Sequence, residues 1–500
     1  MREFTPPPPS DDEDDPWAFV TARNPRSSHP SVNPLLDAAV PELTEPAAAG
    51  SRLADAGDES ASQALRRRAR PLAWAVAAAF FFGFITEVVA AARFVYLLGP
   101  SALVIIYIFG GLSLVAVALL QMTWIDRLPR NKAFIRVTLA YGITFIVAIA
   151  LIATTAGPQI TAHNGETVSA ATVWGTGLVW LVADQLNFLL PLIIWAIVGD
   201  LFNAGEGRRI FPWVTSWQYG GQLFGLAVPA LAPLILVPLG LPLWSLLVVC
   251  PIGIIALGIL LPRALKGRPF SRGHGRDEGV VGSLKSTWDF VGGVKAFRAL
   301  FFASLLVFIA AQTLEASFLT SADRILQDEA KLQILYGSTL VVVFIGCGIL
   351  QKWFTMGILE RLNISGTFAV LPPAALVSAV LLILGLVFGG VLPRLVLGVI
   401  CWWIPRWSVG DVARHAAMAV VPDEKRARVS FVVGLVPFAA GLFIAGFVTW
   451  IVDLIGYPVI APVVALVAAL AAIPPARRMV AEWSDALLDP RLRRRKRLSG

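Results

Sequence analysis

Charge is what this sequence has least of. Of its 500 residues only 15% are Asp, Glu, Lys or Arg, where a soluble domain carries about a quarter. That scarcity, with 57% hydrophobic residues and a mean hydropathy of +0.72, excludes an ordinary soluble fold. Cysteine and histidine are scarce too. Cys250, Cys347 and Cys401 lie in apolar runs with no pair at ligand spacing, so they read as buried thiols. The four histidines, His29, His163, His274 and His415, make no metal-ligand pattern. No Walker A loop, HExxH or GxSxG is present, so enzyme readings find no support and neither does an ATP-driven pump. Ten-residue alternating segments, the mark of outer-membrane strands, are absent. The start of the chain has no basic stretch leading into an apolar core, so a signal peptide is not expected.

What is present in abundance is long apolar runs. About 20 apolar residues suffice to cross a membrane as a helix. Twelve runs qualify, near 72–97, 101–121, 133–154, 172–198, 213–235, 241–262, 298–319, 332–355, 367–390, 392–417, 429–452 and 457–475. The expected fold is an all-α integral membrane protein of twelve spans. Residues 1–65, opening "TPPPPSDDEDDP" within a Met-Arg-Glu-Phe start, are expected to form a disordered cytoplasmic tail. Residues 66–262 would form one six-helix half, 263–297 a cytoplasmic linker, 298–476 a second half and 477–500 a basic cytoplasmic tail.

The net charge of +8 is concentrated beside the spans, so topology rather than nucleic acid accounts for it. Arg66, Arg67, Arg68 and Arg70 precede span 1, and Arg127, Arg130, Lys132 and Arg136 lie between spans 2 and 3. Arg208 and Arg209 follow span 4, seven Lys and Arg residues separate spans 6 and 7, and "RLRRRKR" lies near the end of the chain. The opposite loops "GPQITAHNGETVS", "VPLGLP" and "DLIGYP" hold no Lys or Arg. The positive-inside rule places both termini in the cytoplasm of a multi-pass prokaryotic inner (plasma) membrane protein.

The two halves echo each other. "IDRLPRNKAF" (125–134) follows span 2 and "LERLNISGTF" (359–368) follows span 8, while "VGD" recurs at 198–200 and 409–411. A shift of six spans in both cases is the sign of parallel six-helix repeats. These repeats and basic loops resemble the major facilitator superfamily, which implies a cavity between two pseudo-symmetric halves and alternating access. Asp126, Arg127 and Arg130, with Glu360 and Arg361 in the second copy, resemble that superfamily's gating motif.

Within it, two segments look like the ATP/ADP translocase-like nucleotide transporters. In "IVGDLFNAGEGRRIFPWVTSWQYGGQLFG" (197–225), Asp200, Glu206, Arg208, Arg209, Phe211, Pro212 and the glycines fit that family. In "PRWSVGDVARHAAMAVVPDEKRAR" (405–428), Arg406, Trp407, Ser408, Asp411, Arg414 and Pro422 fit. The resemblance implies a nucleotide or other organic anion as cargo, with no cofactor. The chain departs from the family in span 1, where Glu87 and a single Arg93 stand for a basic cluster. Span 7 has Glu315 without the following Lys, and Asp184 stands where the family has Glu.

Ionised side chains inside spans cost on the order of 2.5–3.5 kcal/mol each, so they face cavities, pair or snorkel. Arg406, beside Trp402, Trp403 and Trp407 and just after Pro405, is expected either to contact an anionic group, with the indoles against a flat ring, or to pair with Asp411 or a span-4 acid. Asp184 and Asn187, near Gln185, mark a water-lined face of span 4 and substrate contact. Glu87, Asp184 and Glu315 are candidates for proton coupling. Asp200, Glu206, Arg208, Arg209, Asp411 and Arg414 are expected to form an inner gate. The expected partners are a small anionic substrate, the lipid bilayer, and protons or a counter-substrate. Two alternatives stand: a proton-coupled exporter of hydrophobic or cationic compounds, and a non-transporting membrane protein acting through its acidic tail.

Overall fold

The structure, a computed structural model, describes residues 47–124, 130–202, 204–267, 280–353, 365–410, 413–414, 417–418, 420–421 and 423–487. Contacts divide the chain into two units, Met1–Ala61 and Ser62–Gly500. Hydrocarbon offers the backbone no partners, so apolar runs close their own hydrogen bonds as helices. The helices of the structure, spans and shorter connecting helices together, are in order α1 (Ala47–Leu98), α2 (Leu103–Trp124), α3 (Arg130–Ala153), α4 (Ala170–Leu201), α5 (Ala204–Leu236), α6 (Val249–Ala264) and α7 (Val280–Gly293). There follow α8 (Lys295–Leu326), α9 (Glu329–Trp353), α10 (Leu371–Phe388), α11 (Val391–Pro405), α12 (Asp423–Ser430), α13 (Val436–Ile455) and α14 (Ile460–Leu487).

Among the described residues, eleven helical segments are long and apolar enough to cross a membrane, and each overlaps one expected span. The exception is the tenth, expected at 392–417. There α11 ends at Pro405 and passes into a π turn, Arg406–Gly410. Proline contributes no backbone donor, and wide turns of this kind accommodate the interruption. A second π turn, Phe431–Leu435, leads into α13.

Three boundaries differ from expectation. The tail expected without structure to residue 65 is helical from Ala47, where Ala, Leu, Arg and Gln favour helix; residues 1–46 lie outside the described residues. The expected linker 263–297 contains α7, which buries Phe290 and Val291 and sets Trp288 edge-on to Phe301, ring centroids 5.1 Å apart. The basic tail was expected from 477, yet α14 runs to Leu487. It buries Ala476, Met479, Trp483 and Ala486, spaced along one helical face, and packs along α8.

The uncharged loop between α3 and α4 is a hairpin, β1 (Gln159–Thr161) antiparallel to β2 (Thr167–Ser169), with Ile160 opposite Val168. Asn164-Gly165 makes its turn, Gly165 taking φ +83°, as tight hairpins demand. Ser169 then caps α4 by accepting from the Thr172 amide at 3.2 Å.

Small residues set the helix crossings. A Cβ on Gly221 of α5 would lie 2.1 Å from the Ala77 carbonyl oxygen of α1, and one on Gly225 would lie 2.6 Å from that of Phe81. On α13, Gly441 meets the Phe308 carbonyl of α8 and Gly446 meets Val104 of α2. So α1 crosses α5, α2 packs on α13, and α5 on α9.

Candidate functional site

From Ile309 to Asp323, α8 is buried at every position except Glu315. An acid in the middle of an apolar bundle is thus the one residue on that stretch with a surface left open. Glu87 on α1 and Asp184 on α4 are likewise partly exposed among buried neighbours. The three acids lie within electrostatic reach of one another.

Tyr336 of α9, 2% exposed, joins two of them. Its hydroxyl oxygen lies 3.2 Å from Glu315 Oε1 and 3.4 Å from Glu87 Oε1. On the other side of Glu87, the Asn187 amide donates to Oε2 at 2.6 Å. Asn187, expected at the substrate, here holds Glu87, and its own Oδ1 is buried with no partner among the described residues. Asp184 Oδ2 approaches α2 at Gly110, where a Cβ would lie 3.0 Å away. Gln185 points elsewhere, donating to Ser113 Oγ at 3.0 Å. The Tyr107 hydroxyl, buried on α2 within reach of all three acids, has no hydrogen-bond partner among the described residues.

Arg406 opens the π turn and is 9% exposed. Its guanidinium lies over three aromatic rings, Trp407 at 5.0 Å, Phe308 at 5.4 Å and Phe438 at 5.9 Å. Such contacts are worth about 0.5–2 kcal/mol each, rising as water is removed. Its charge acts on both Glu315 and Glu87. Trp407, expected against a flat ring of the cargo, here lies under Arg406, and its indole Nε1 is buried with no hydrogen-bond partner among the described residues. Trp403 is buried at 4% exposure, and no ring contact joins it to Arg406 among those described. Phe344 packs on both Trp407 and Phe84, ring centroids 5.8 and 5.4 Å apart, and also lines an apolar recess of about 310 Å³ between α5 and α9.

At the bundle end carrying the basic loops, Arg68 of α1 reaches the α4–α5 turn. It bonds Glu206 at 3.1 Å and the Leu201 carbonyl, and lies over Phe202. Arg130 donates to the Ala196 carbonyl at 2.6 Å. Arg414 packs against Gly434 of the second π turn. Of the other expected gating residues, Asp126, Arg127, Glu360, Arg361 and Asp411 lie outside the described residues, as do the side chains of Asp200, Arg208 and Arg209.

The opposite end carries ion pairs that the sequence reading did not single out. Arg93 of α1 pairs with Glu329 of α9 at 3.2 Å, and Arg324 of α8 with Asp453 of α13 at 3.7 Å. His163 of the hairpin lies 3.9 Å from Asp323 of α8, and its amide bonds the Leu97 carbonyl of α1. Tyr336, Phe308 and Phe438 also escaped the reading. The available signal for Tyr336 was a hydroxyl inside an apolar helix, which requires a partner; the two phenylalanines gave none.

No family model and no curated protein matches the sequence. Solved structures do match in fold. The POT family transporter PepTSo is 12% identical with a TM-score of 0.60, covering 84% of this chain and 99% of its own. The nucleoside transporter NupG is 16% identical, TM-score 0.54, covering 82% of this chain and 100% of its own. A D-xylose-proton symporter is 12% identical, TM-score 0.55, covering 82% and 98%. The chain has the major facilitator fold that these transporters share.

Proposed function

We propose that this protein is a secondary active transporter that works by alternating access and couples its solute to protons. The observation that carries the reading is Glu315, the one open position on a buried stretch of α8, set beside Glu87 and Asp184. In this reading the chain has twelve spans in two six-helix halves, with its basic loops and both termini on the cytoplasmic side of a prokaryotic inner membrane. The halves rock about the α2–α13 and α5–α9 contacts. Glu87, Asp184 and Glu315 carry protons, and Arg406 with Trp407 lies against the cargo. Arg68 and Glu206 belong to the cytoplasmic gate with Asp126, Arg127, Arg130, Asp200, Arg208, Arg209, Glu360, Arg361, Asp411 and Arg414.

Charge balance selects among cargoes. Among the described residues the one cation acting on both Glu87 and Glu315 is Arg406. These acids outnumber the one guanidinium, so a solute bearing a positive group, which takes the place of protons as they leave the acids, is favoured over ATP. The anionic reading retains one supporting observation: a buried guanidinium on the Trp407 face beside an unpartnered indole N–H offers a planar anion both a charge and a donor.

The test is a solute panel, organic cations beside anions that include ATP against internal ADP, applied to vesicles holding the protein and an internal pH dye. A transported solute should move protons in the wild type and not in Glu315→Gln. Solute movement that leaves internal pH unchanged would overturn proton coupling, and ATP/ADP exchange would reinstate the nucleotide reading.

A further inference from the structure

The hydroxyl of Tyr336 has one hydrogen and faces two carboxyl groups. Glu315 Oε1 lies at 3.2 Å and Glu87 Oε1 at 3.4 Å. A phenol donates once, and its oxygen accepts. It can satisfy one carboxylate as donor, and the other group completes the bridge only by donating to it. A carboxyl group donates only when protonated.

The remaining contacts decide which acid that is. Glu87 Oε2 accepts from the Asn187 amide at 2.6 Å, which occupies that oxygen and leaves Oε1 as the one able to carry a hydrogen towards Tyr336. Glu315 lacks any such amide among its described partners, and the charge of Arg406, which reaches both acids, is the leading charge at Glu315 but is outweighed at Glu87 by the neighbouring carboxyl groups of Glu315 and Asp184. Opposite charge favours the ionised form of the acid that faces it. The two groups still to be placed do not change this order. Asp184 on α4 faces both acids, and the Tyr107 hydroxyl on α2 has no hydrogen-bond partner among the described residues.

We propose that Glu87, Tyr336 and Glu315 hold one shared proton in a directed chain, in which protonated Glu87 donates to Tyr336 and Tyr336 donates to ionised Glu315. Tyr336 is a positioning residue: it ties an acid of α1, in the first half, to an acid of α8, in the second. Transfer along the chain is balanced. The Glu87 O–H bond breaks as a new bond forms on the Tyr336 oxygen, and the original Tyr336 hydrogen passes to Glu315. The proton thereby crosses between halves with no free charge created in the bundle. Cargo that draws Arg406 away from Glu315 favours this transfer, and parting of the halves then strands the proton on one side. The chain rests on the reading that these acids carry the coupling proton, but it makes a claim about the resting protein that needs no cargo.

The test is infrared spectroscopy of the full chain in lipid vesicles near neutral pH, following the carbonyl band of protonated carboxyl groups and its shift in heavy water. The wild type should show a band that Glu87→Gln removes, while Glu315→Gln does not. Glutamine can hold the same two contacts as protonated Glu87, so Glu87→Gln should fold. Asp184→Asn, run beside it, identifies that acid's own contribution. Tyr336→Phe should displace the Glu87 band, because its acceptor is gone. Absence of the band, its loss in Glu315→Gln with survival in Glu87→Gln, or an unmoved band in Tyr336→Phe would each overturn the proposal. Should Tyr336→Phe fail to fold, the wild-type spectrum with Glu87→Gln still decides where the proton sits. Failure of the transport assay alone would leave these spectra unaffected, so the two readings fail separately.

Discussion

Arg93 Nη1 of α1 lies 3.3 and 3.2 Å from the two carboxylate oxygens of Glu329 on α9, with both side chains largely shielded from solvent. The pair joins α1 to α9 at the end away from the basic loops, where the hairpin also meets α8 through His163 and Asp323. In the alternating-access cycle proposed above, contacts of this kind have to part when that end opens. Hydrogen bonds to charged groups are worth about 1.5–3 kcal/mol, roughly 10- to 150-fold in a two-state population. Glu329→Gln should therefore speed labelling of a Thr320→Cys reporter, buried on α8 beneath this end, by an externally added membrane-impermeant maleimide. Unchanged labelling would show that the pair does not hold this end shut.

Arg406 should separate charge from shape. Arg406→Lys retains a cation near Glu315 and Glu87 but loses the flat guanidinium that lies over Trp407, Phe308 and Phe438. Proton movement is expected to persist in Lys at a reduced rate and to vanish in Ala, which leaves Glu315 with no facing cation from this site. Equal activity of Lys and wild type would remove any role for the planar contact, and equal activity of Ala would remove Arg406 from the mechanism.

Much of this architecture was legible in the sequence because lipid reduces the problem to apolar length. Glu87, Asp184 and Glu315 were legible for the same reason: a charge inside a span is costly and therefore conspicuous. What assembles around them was not. Tyr336, Phe308 and Phe438 are ordinary residues of apolar helices, and their importance comes from crossings between α1, α8, α9 and α13 that no local pattern encodes. The hairpin went unread: Asn164-Gly165 was its one local signal, and its flanks are too short and too polar to stand out beside long spans. The extents of α1 and α14 were missed for a different reason. Both helices continue past their apolar runs, where alanine-rich sequence and a single buried face sustain helix without hydropathy.

The crossing of α1 and α5 gives a paired test of packing. Gly221 lies against the Ala77 carbonyl, so Gly221→Val forces backbone apart and should destabilise by about 1–3 kcal/mol or more. Its neighbour Gly220 has nothing within 4 Å of an added Cβ, and Gly220→Ala should leave the thermal midpoint in detergent unchanged. A Gly221→Val protein as stable as Gly220→Ala would mean that α1 and α5 do not cross at this point.

Trp483 tests whether the end of α14 is part of the folded bundle. It is 7% exposed and its ring lies 6.1 Å from that of Phe297 at the start of α8. Ser484, next to it on the helix, is exposed. Removing a buried tryptophan side chain costs about 3–5 kcal/mol, whereas an exposed substitution stays within about 0.5 kcal/mol. Trp483→Ala should lower the thermal midpoint and speed proteolysis within α14, while Ser484→Ala should do neither. If Trp483→Ala matched the wild type in both measurements, the α14 extension would be a solvated tail, as its run of basic residues first suggested. If it fell, the helix would be a brace on α8, the same helix that carries Glu315, and its loss should also slow proton movement in vesicles.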